Sequence, residues 1–93
     1  MSDFTVFISE SAREIFYSLD EDIKKRMNKS FEALKENPFK RRSGADIKKL
    51  QGSFNPVFYR IRVGDYRSIY CIINKEVKIT KIMLRSKGYK WLE

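Results

Sequence analysis

Phe58-Tyr59-Arg60-Ile61-Arg62-Val63-Gly64-Asp65-Tyr66-Arg67-Ser68-Ile69-Tyr70-Cys71-Ile72-Ile73 is the stretch on which the fold turns. Side chains alternate with a period of two, so Val57, Tyr59, Ile61 and Val63 face one way and Phe58, Arg60 and Arg62 the other. Gly64-Asp65 breaks the alternation as a two-residue hairpin turn with Gly at the first central position, the type II′ preference. Tyr66 to Ile73 is then the returning strand. This turn sets Val63 opposite Tyr66, Arg62 opposite Arg67 and Arg60 opposite Ile69. Arg60, Arg62 and Arg67 therefore share one sheet face, within about 5–8 Å of one another at Cβ.

Upstream, Phe4-Thr5-Val6-Phe7-Ile8 reads as a first strand. Ser11-Ala12-Arg13-Glu14 has capping-box spacing, and Ala12, Ile15, Phe16 and Leu19 recur as one face of a short helix. Asp20 opens a second helix with Glu21 and Asp22 at the positive end of its dipole. Ile23, Met27, Phe31 and Leu34 form its apolar stripe, Lys24, Lys25, Arg26 and Lys29 its wet face, and Asn37-Pro38 its stop. Two helices joined this closely predict an antiparallel hairpin. Phe39 to Gly52 reads as a basic linker pinned at its far end by Ile47 and Leu50. Downstream, Asn74-Lys75 is a turn, Val77 to Leu84 the last strand, and Arg85 to Trp91 a polar-aromatic tail. The expectation is an α+β domain over residues 1–93, β-α-α-β-β-β, with a small antiparallel-rich four-stranded sheet and a helical hairpin on one face.

Composition narrows the chemistry. The 93 residues contain no histidine and a single cysteine, Cys71. Imidazole acid–base steps, Ser-His-Asp and Cys-His nucleophiles and the common zinc sites are excluded, as is an internal disulfide. Cys71 reads as a small buried hydrophobe. No apolar run approaches the roughly 20 residues that span a bilayer, and the N-terminus lacks a signal-peptide pattern, so the expected location is cytoplasmic. The net charge is +8, and it is segregated. Residues 1–37 carry six basic and eight acidic side chains; residues 38–93 carry fourteen and four. A polyanion site belongs to the second half.

Like charges directly opposite destabilise a strand pair, and arginine cannot relieve this by losing its proton. Such a trio persists if carboxylates neutralise it, if its long side chains splay into solvent, or if an anion is meant to bind. The acids of the second half are Asp46, Asp65, Glu76 and Glu93, and none is spaced to stand beside the trio, which favours the anion. Clustered guanidiniums grip phosphate bidentately and stabilise charge developing on phosphorus. RNA supplies its own nucleophile, the 2′-hydroxyl, and needs no cofactor for cleavage if the phosphate is held and protons are moved. Arg85 and Tyr89 extend the set as candidate catalytic residues. Lys87, Lys48, Lys49, Arg41 and Arg42 are candidate RNA contacts. Tyr59, Tyr66 and Tyr70 are expected to pack on the helices.

Leu50-Gln51-Gly52 followed by Tyr59-Arg60-Ile61-Arg62-Val63-Gly64-Asp65-Tyr66-Arg67-Ser68-Ile69-Tyr70 resembles the RelE/ParE superfamily of type II toxin–antitoxin toxins, and the order of the flanking elements extends the resemblance over nearly the whole chain. It implies a RelE-like mRNA interferase that enters the ribosomal A site and cuts mRNA through 2′-hydroxyl attack. It also implies a cognate antitoxin that wraps the toxin and displaces or blocks the catalytic tail. By position, Arg60 and Arg62 match basic residues of the central strand that bind RNA phosphate and take part in proton chemistry. Arg67 matches an arginine that contacts the scissile phosphate, Arg85 one that stabilises the phosphate or leaving group, and Tyr89 a tyrosine that orients or stacks on substrate. RelE-like enzymes often have lysine where this chain has Arg60 and Arg62. A side chain with a pKa above about 12 is a poor general base, so the arginines are expected to act electrostatically while Lys87 or Tyr89 moves a proton.

Two other functions fit the same residues. A ParE-like toxin shares the fold but poisons DNA gyrase without nuclease chemistry; Arg85 and Tyr89 argue against it, because ParE-like members tend to lack them. A plain RNA-binding module would grip backbone in a salt-dependent way and release no cut products.

Overall fold

A computed structural model describes residues 3–52 and 55–84. Its elements are β1 (Thr5–Ile8), α1 (Glu10–Ser18), α2 (Glu21–Glu36), β2 (Asp46–Lys49), β3 (Phe58–Val63), β4 (Tyr66–Ile73) and β5 (Glu76–Leu84). The sheet has five strands in the order β1-β5-β4-β3-β2. The α+β class and element order follow the sequence expectation; the strand count is one higher. The extra strand, β2, comes from the segment read as linker. Asp46-Ile47-Lys48-Lys49 is too short and too charged to announce itself, yet it pairs antiparallel with β3, and burial of Ile47 between Ile61 and the helices holds it there.

The central hairpin has the register that its turn dictates: Val63↔Tyr66, Arg62↔Arg67 and Arg60↔Ile69. Gly64 sits at φ +58, while Asn74 is the single non-glycine residue with positive φ among those described. Asp65 is thus not left-handed, as type II′ rather than type I′ requires. β4 and β5 pair antiparallel with an irregularity between Ile69 and Tyr70, where Thr80 is the extra residue on β5. β1 adds parallel to β5 at one edge.

Helix α1 lies on β5, and α2 spans β1 and β3. They meet where the Phe16 and Phe31 rings approach to 5.9 Å. Ser9, rather than the expected Ser11, caps α1: its hydroxyl accepts from the Ala12 N–H at 3.2 Å, because Ser9 is the last residue with extended backbone. Asp20 occupies the N-cap of α2 without a side-chain capping bond. Ala12, Met27, Phe31 and Leu34 of the helices close over Ile47, Ile61, Tyr70, Val77 and Ile79 of the sheet. On the opposite face Leu50 and Ile69 are buried against Phe58 and Met83 as a second small cluster. No helix among the described residues is long and apolar enough to cross a membrane.

Candidate functional site

Alternation along β3 and β4 places Arg60, Arg62 and Arg67 on the face opposite the helices, as the hairpin register demands. The surroundings of the trio differ from expectation in one respect that changes its chemistry. Asp46 stands directly across from Arg62 in the β2–β3 ladder and serves three guanidiniums. Its Oδ2 accepts from Arg62 Nε at 2.7 Å; its Oδ1 lies 3.3 Å from an Arg60 terminal nitrogen and 3.4 Å from Arg41 Nε. The same Arg60 nitrogen donates to the Asp46 main-chain oxygen at 3.1 Å. The expectation that no acid reaches the trio is therefore wrong. It fails because the partner lies on β2, within the segment whose sequence predicts a linker.

One carboxylate cannot neutralise the cluster. Arg67 meets no carboxylate among the described residues; it donates instead to the main-chain oxygens of Gly64 and Tyr66 at 3.3 and 3.2 Å. Arg41, Arg60 and Arg62 share one aspartate and Arg67 has no carboxylate among the described residues, so of four positive charges three remain. Asp46 acts as an organiser: it aligns guanidiniums that repulsion would scatter and leaves the group cationic. Exposure divides the labour. Arg60 and Arg67 are 9% and 5% exposed, whereas the Arg62 side chain is 44% and the Arg41 side chain 68% exposed. Arg62 is the member of the trio that presents its charge to solvent. Arg60 is buried deeply enough that its Nε has no hydrogen-bond partner among the described residues.

Burial pushes the Asp46 carboxyl up, but the Arg60 hydrogen bond and the charges of Arg60, Arg62 and Arg41 outweigh it and hold the group below its ordinary value of 3.8. A carboxyl depressed on folding contributes stability above its ordinary pKa and loses that contribution as pH falls through the depressed value. The stability gap between the wild type and Asp46→Asn is thus expected to be constant near neutrality and to narrow below pH 3.8. Urea melts of both proteins from about pH 6 to about pH 2 measure it; a gap that widens on acidification overturns the assignment.

The other candidates divide by element. Arg42 spends its donors on backbone: one terminal nitrogen reaches the Asn37 and Lys40 oxygens at 2.9 and 2.6 Å, and the other the Ala33 oxygen at 2.9 Å. It caps the C-terminal carbonyls of α2, where a cation is favoured. Lys48 stands opposite Arg60 on the site face and Lys49 opposite Tyr59, and both are exposed. Arg85, Lys87 and Tyr89 lie outside the described residues. Tyr59 and Tyr70 stack with centroids 5.6 Å apart, and Tyr66 packs on the same core. Burial pushes the Tyr70 hydroxyl pKa up, with the adjacent Tyr59 adding to it, and the hydroxyl donates to the Pro38 oxygen at 2.7 Å. Cys71 is buried, and burial raises its thiol pKa.

Residues 6–89 match the family model described as the ParE toxin of the type II toxin–antitoxin system parDE. The chain belongs to the ParE toxin family. Solved structures place this ParE-family toxin in the wider RelE/ParE superfamily. It is similar to the toxin chain of the archaeal RelE–RelB complex from Pyrococcus horikoshii OT3, with 30% identity and a TM-score of 0.80 over 92% of this chain and 99% of that one. Against the RelB–RelE complex from Methanococcus jannaschii the identity is 21% and the TM-score 0.72, covering 94% and 99% of the two chains. The YoeB dimer from Staphylococcus aureus shares the fold at 18% identity and a TM-score of 0.68, covering 86% of this chain and 94% of that one. Curated proteins yield no match. The ParE-family toxin is thus a type II toxin–antitoxin toxin whose sheet carries an over-charged arginine cluster organised by a single aspartate.

Proposed function

We propose that this toxin is a RelE-like, ribosome-dependent mRNA endonuclease. The observation that carries the reading is the excess of guanidinium over carboxylate around Asp46, with Arg62 turned to solvent. An anion is the missing partner of such a group. The likeness at 30% identity to the toxin of a RelE–RelB complex supports the same reading and argues for a RelB-type antitoxin as the inhibitory partner.

The chemistry follows from the residue types. Arg62, with Arg67 behind it, grips the phosphate and stabilises the charge that grows on its oxygens as the neighbouring 2′-oxygen attacks phosphorus. The bond to the 5′-oxygen breaks, leaving a 2′,3′-cyclic phosphate and a 5′-hydroxyl. A base removes the 2′ proton and an acid protonates the departing oxygen. Arginine, charged throughout, is suited to neither task, and Tyr70 is sealed in the core. Proton movement falls to the tail, to Lys87 or Tyr89, with Arg85 on the phosphate or leaving group. Cleavage on translating ribosomes in a purified translation system is the expected result, with cuts falling inside codons.

A second reading rests on the family model, whose description names ParE: inhibition of DNA gyrase without nuclease chemistry. Intact mRNA in the translation system, combined with loss of gyrase supercoiling activity, would establish that reading and overturn ours.

A further inference from the structure

A second cationic cleft adjoins the Asp46-organised cluster, where the middle of α2 approaches the β3–β4 turn and the segment entering β2. It encloses about 380 Å³, and its walls include Arg26, Lys29, Arg42, Arg62, Asp46 and Gly64. Arg26 and Lys29 are exposed, stand one helical turn apart, and neither pairs with a carboxylate among the described residues. The Arg26 guanidinium nitrogens lie 3.6 and 3.7 Å from the point where a Cβ on Gly64 would sit. The guanidinium thus lies within van der Waals reach of the turn, beside the strand that carries Arg62. The one acid in the wall, Asp46, already serves Arg41, Arg60 and Arg62, so it cannot quench the α2 cations. Arg62 belongs to both places. A linear polyanion laid on the guanidinium cluster can therefore continue into the cleft without leaving positive surface.

We propose that this cleft is a second phosphate-binding site, taking a backbone phosphate of the same RNA strand away from the scissile one, with Arg26 and Lys29 as its contacts. The proposal rests on the RNA-cleaving reading above for the identity of the polyanion. Its surface would otherwise be an unexplained concentration of like charge, with Arg42 held by helix-end carbonyls and so unable to swing away.

The test is equilibrium binding of a 12-nucleotide, fully 2′-O-methylated RNA, which cannot be cut, to the purified toxin across a salt series. Arg26→Gln/Lys29→Gln is compared with the wild type and with the charge-keeping Arg26→Lys. Losing two phosphate contacts should lower the slope of log affinity against log salt by about 1.4 and weaken binding on the order of tenfold at 0.1 M salt. Arg26→Lys should retain most of the wild-type slope. Melting temperatures check that the fold is unaltered, since both side chains are exposed. Unchanged slope and affinity in the double variant overturn the proposal, even if the wild type still cuts mRNA on ribosomes. So does a variant that binds RNA normally but loses affinity for an acidic peptide, which would make the cleft a protein contact. Wild-type cleavage is scored separately on ribosomes, so failure of the cleft and failure of the nuclease reading are read from different assays.

Discussion

Asp46→Ala is expected to destabilise the toxin by about 2–3 kcal/mol, at or just below the roughly 3–5 kcal/mol lost when one partner of a fully buried ion pair is removed. The carboxylate is partly accessible, at 24%, which keeps the loss from being larger. Arg60 causes most of it. Its guanidinium is nearly buried, and among the described residues its Nε is already without a partner and, without the Asp46 side chain, it keeps only the Asp46 main-chain oxygen. Arg62 and Arg41 would then repel it with nothing between them. For a domain of this size the loss corresponds to a fall of roughly 10–20 °C in melting temperature. Combining Asp46→Ala with Arg60→Met should recover much of it, because removing both members of a buried pair costs far less than removing one. Calorimetry on the two variants checks this. An Asp46→Ala protein that melts within a few degrees of the wild type would show that the aspartate does not organise the cluster.

Arg62→Ala is expected to behave in the opposite way, with little effect on stability and a large one on cleavage. Its ion pair with Asp46 is solvent-facing, and such pairs contribute about 0–1 kcal/mol. Its function in the proposed reaction is to oppose charge growing on the phosphate. Removing one such donor lowers turnover by about 10²–10³. Arg62→Lys should fall between the two, since an ammonium keeps the charge but lacks the planar fork that meets two phosphate oxygens at once. The readout is the rate of mRNA cutting on translating ribosomes, beside a thermal melt of each protein. Cleavage by Arg62→Ala within about threefold of the wild type, from a fully folded sample, would remove Arg62 from the phosphate grip.

The two substitutions touch the same ion pair from its two ends, and their different expected outcomes follow from burial. Asp46 holds a buried charge and an exposed one together. Arg62 is the exposed one. This division was invisible in the amino-acid string, where Arg60 and Arg62 occupy equivalent positions of one alternating strand. Burial of Arg60 depends on β2 lying across it, and β2 was the element the sequence did not reveal. Its pattern of Asp46-Ile47-Lys48-Lys49 offers a single apolar side chain, too little for a period of two to be recognised. Ala45 and Ile47, both buried, carried the available signal, and the tight turn through Gly44 at φ +82 would have strengthened it.

Arg42 shows the same limit from the other side. A basic run at residues 40–42 reads as nucleic-acid surface, yet Arg42 turns inward to the end of α2. A helix end needs donors, and which neighbouring cation supplies them is settled by where the chain goes after Pro38. Arg26 and Lys29 read as the wet face of a helix, and nothing local says that this face closes a cleft with the Gly64 turn.

What the sequence determined by itself was whatever local stereochemistry and side-chain period govern. Gly64-Asp65 specified a two-residue turn, the turn specified the register, and the register placed Arg60, Arg62 and Arg67 on one face. The absence of histidine and the strand and helix order belong to the same class of facts. Only the tertiary structure decided which carboxylate meets those arginines, which of them is buried, and where a second group of cations closes around the same hairpin. Those outcomes depend on contacts between segments far apart in the chain. A guanidinium on a long flexible stem takes its environment from whichever strand or helix end packs against it, and no periodicity within its own strand encodes that neighbour.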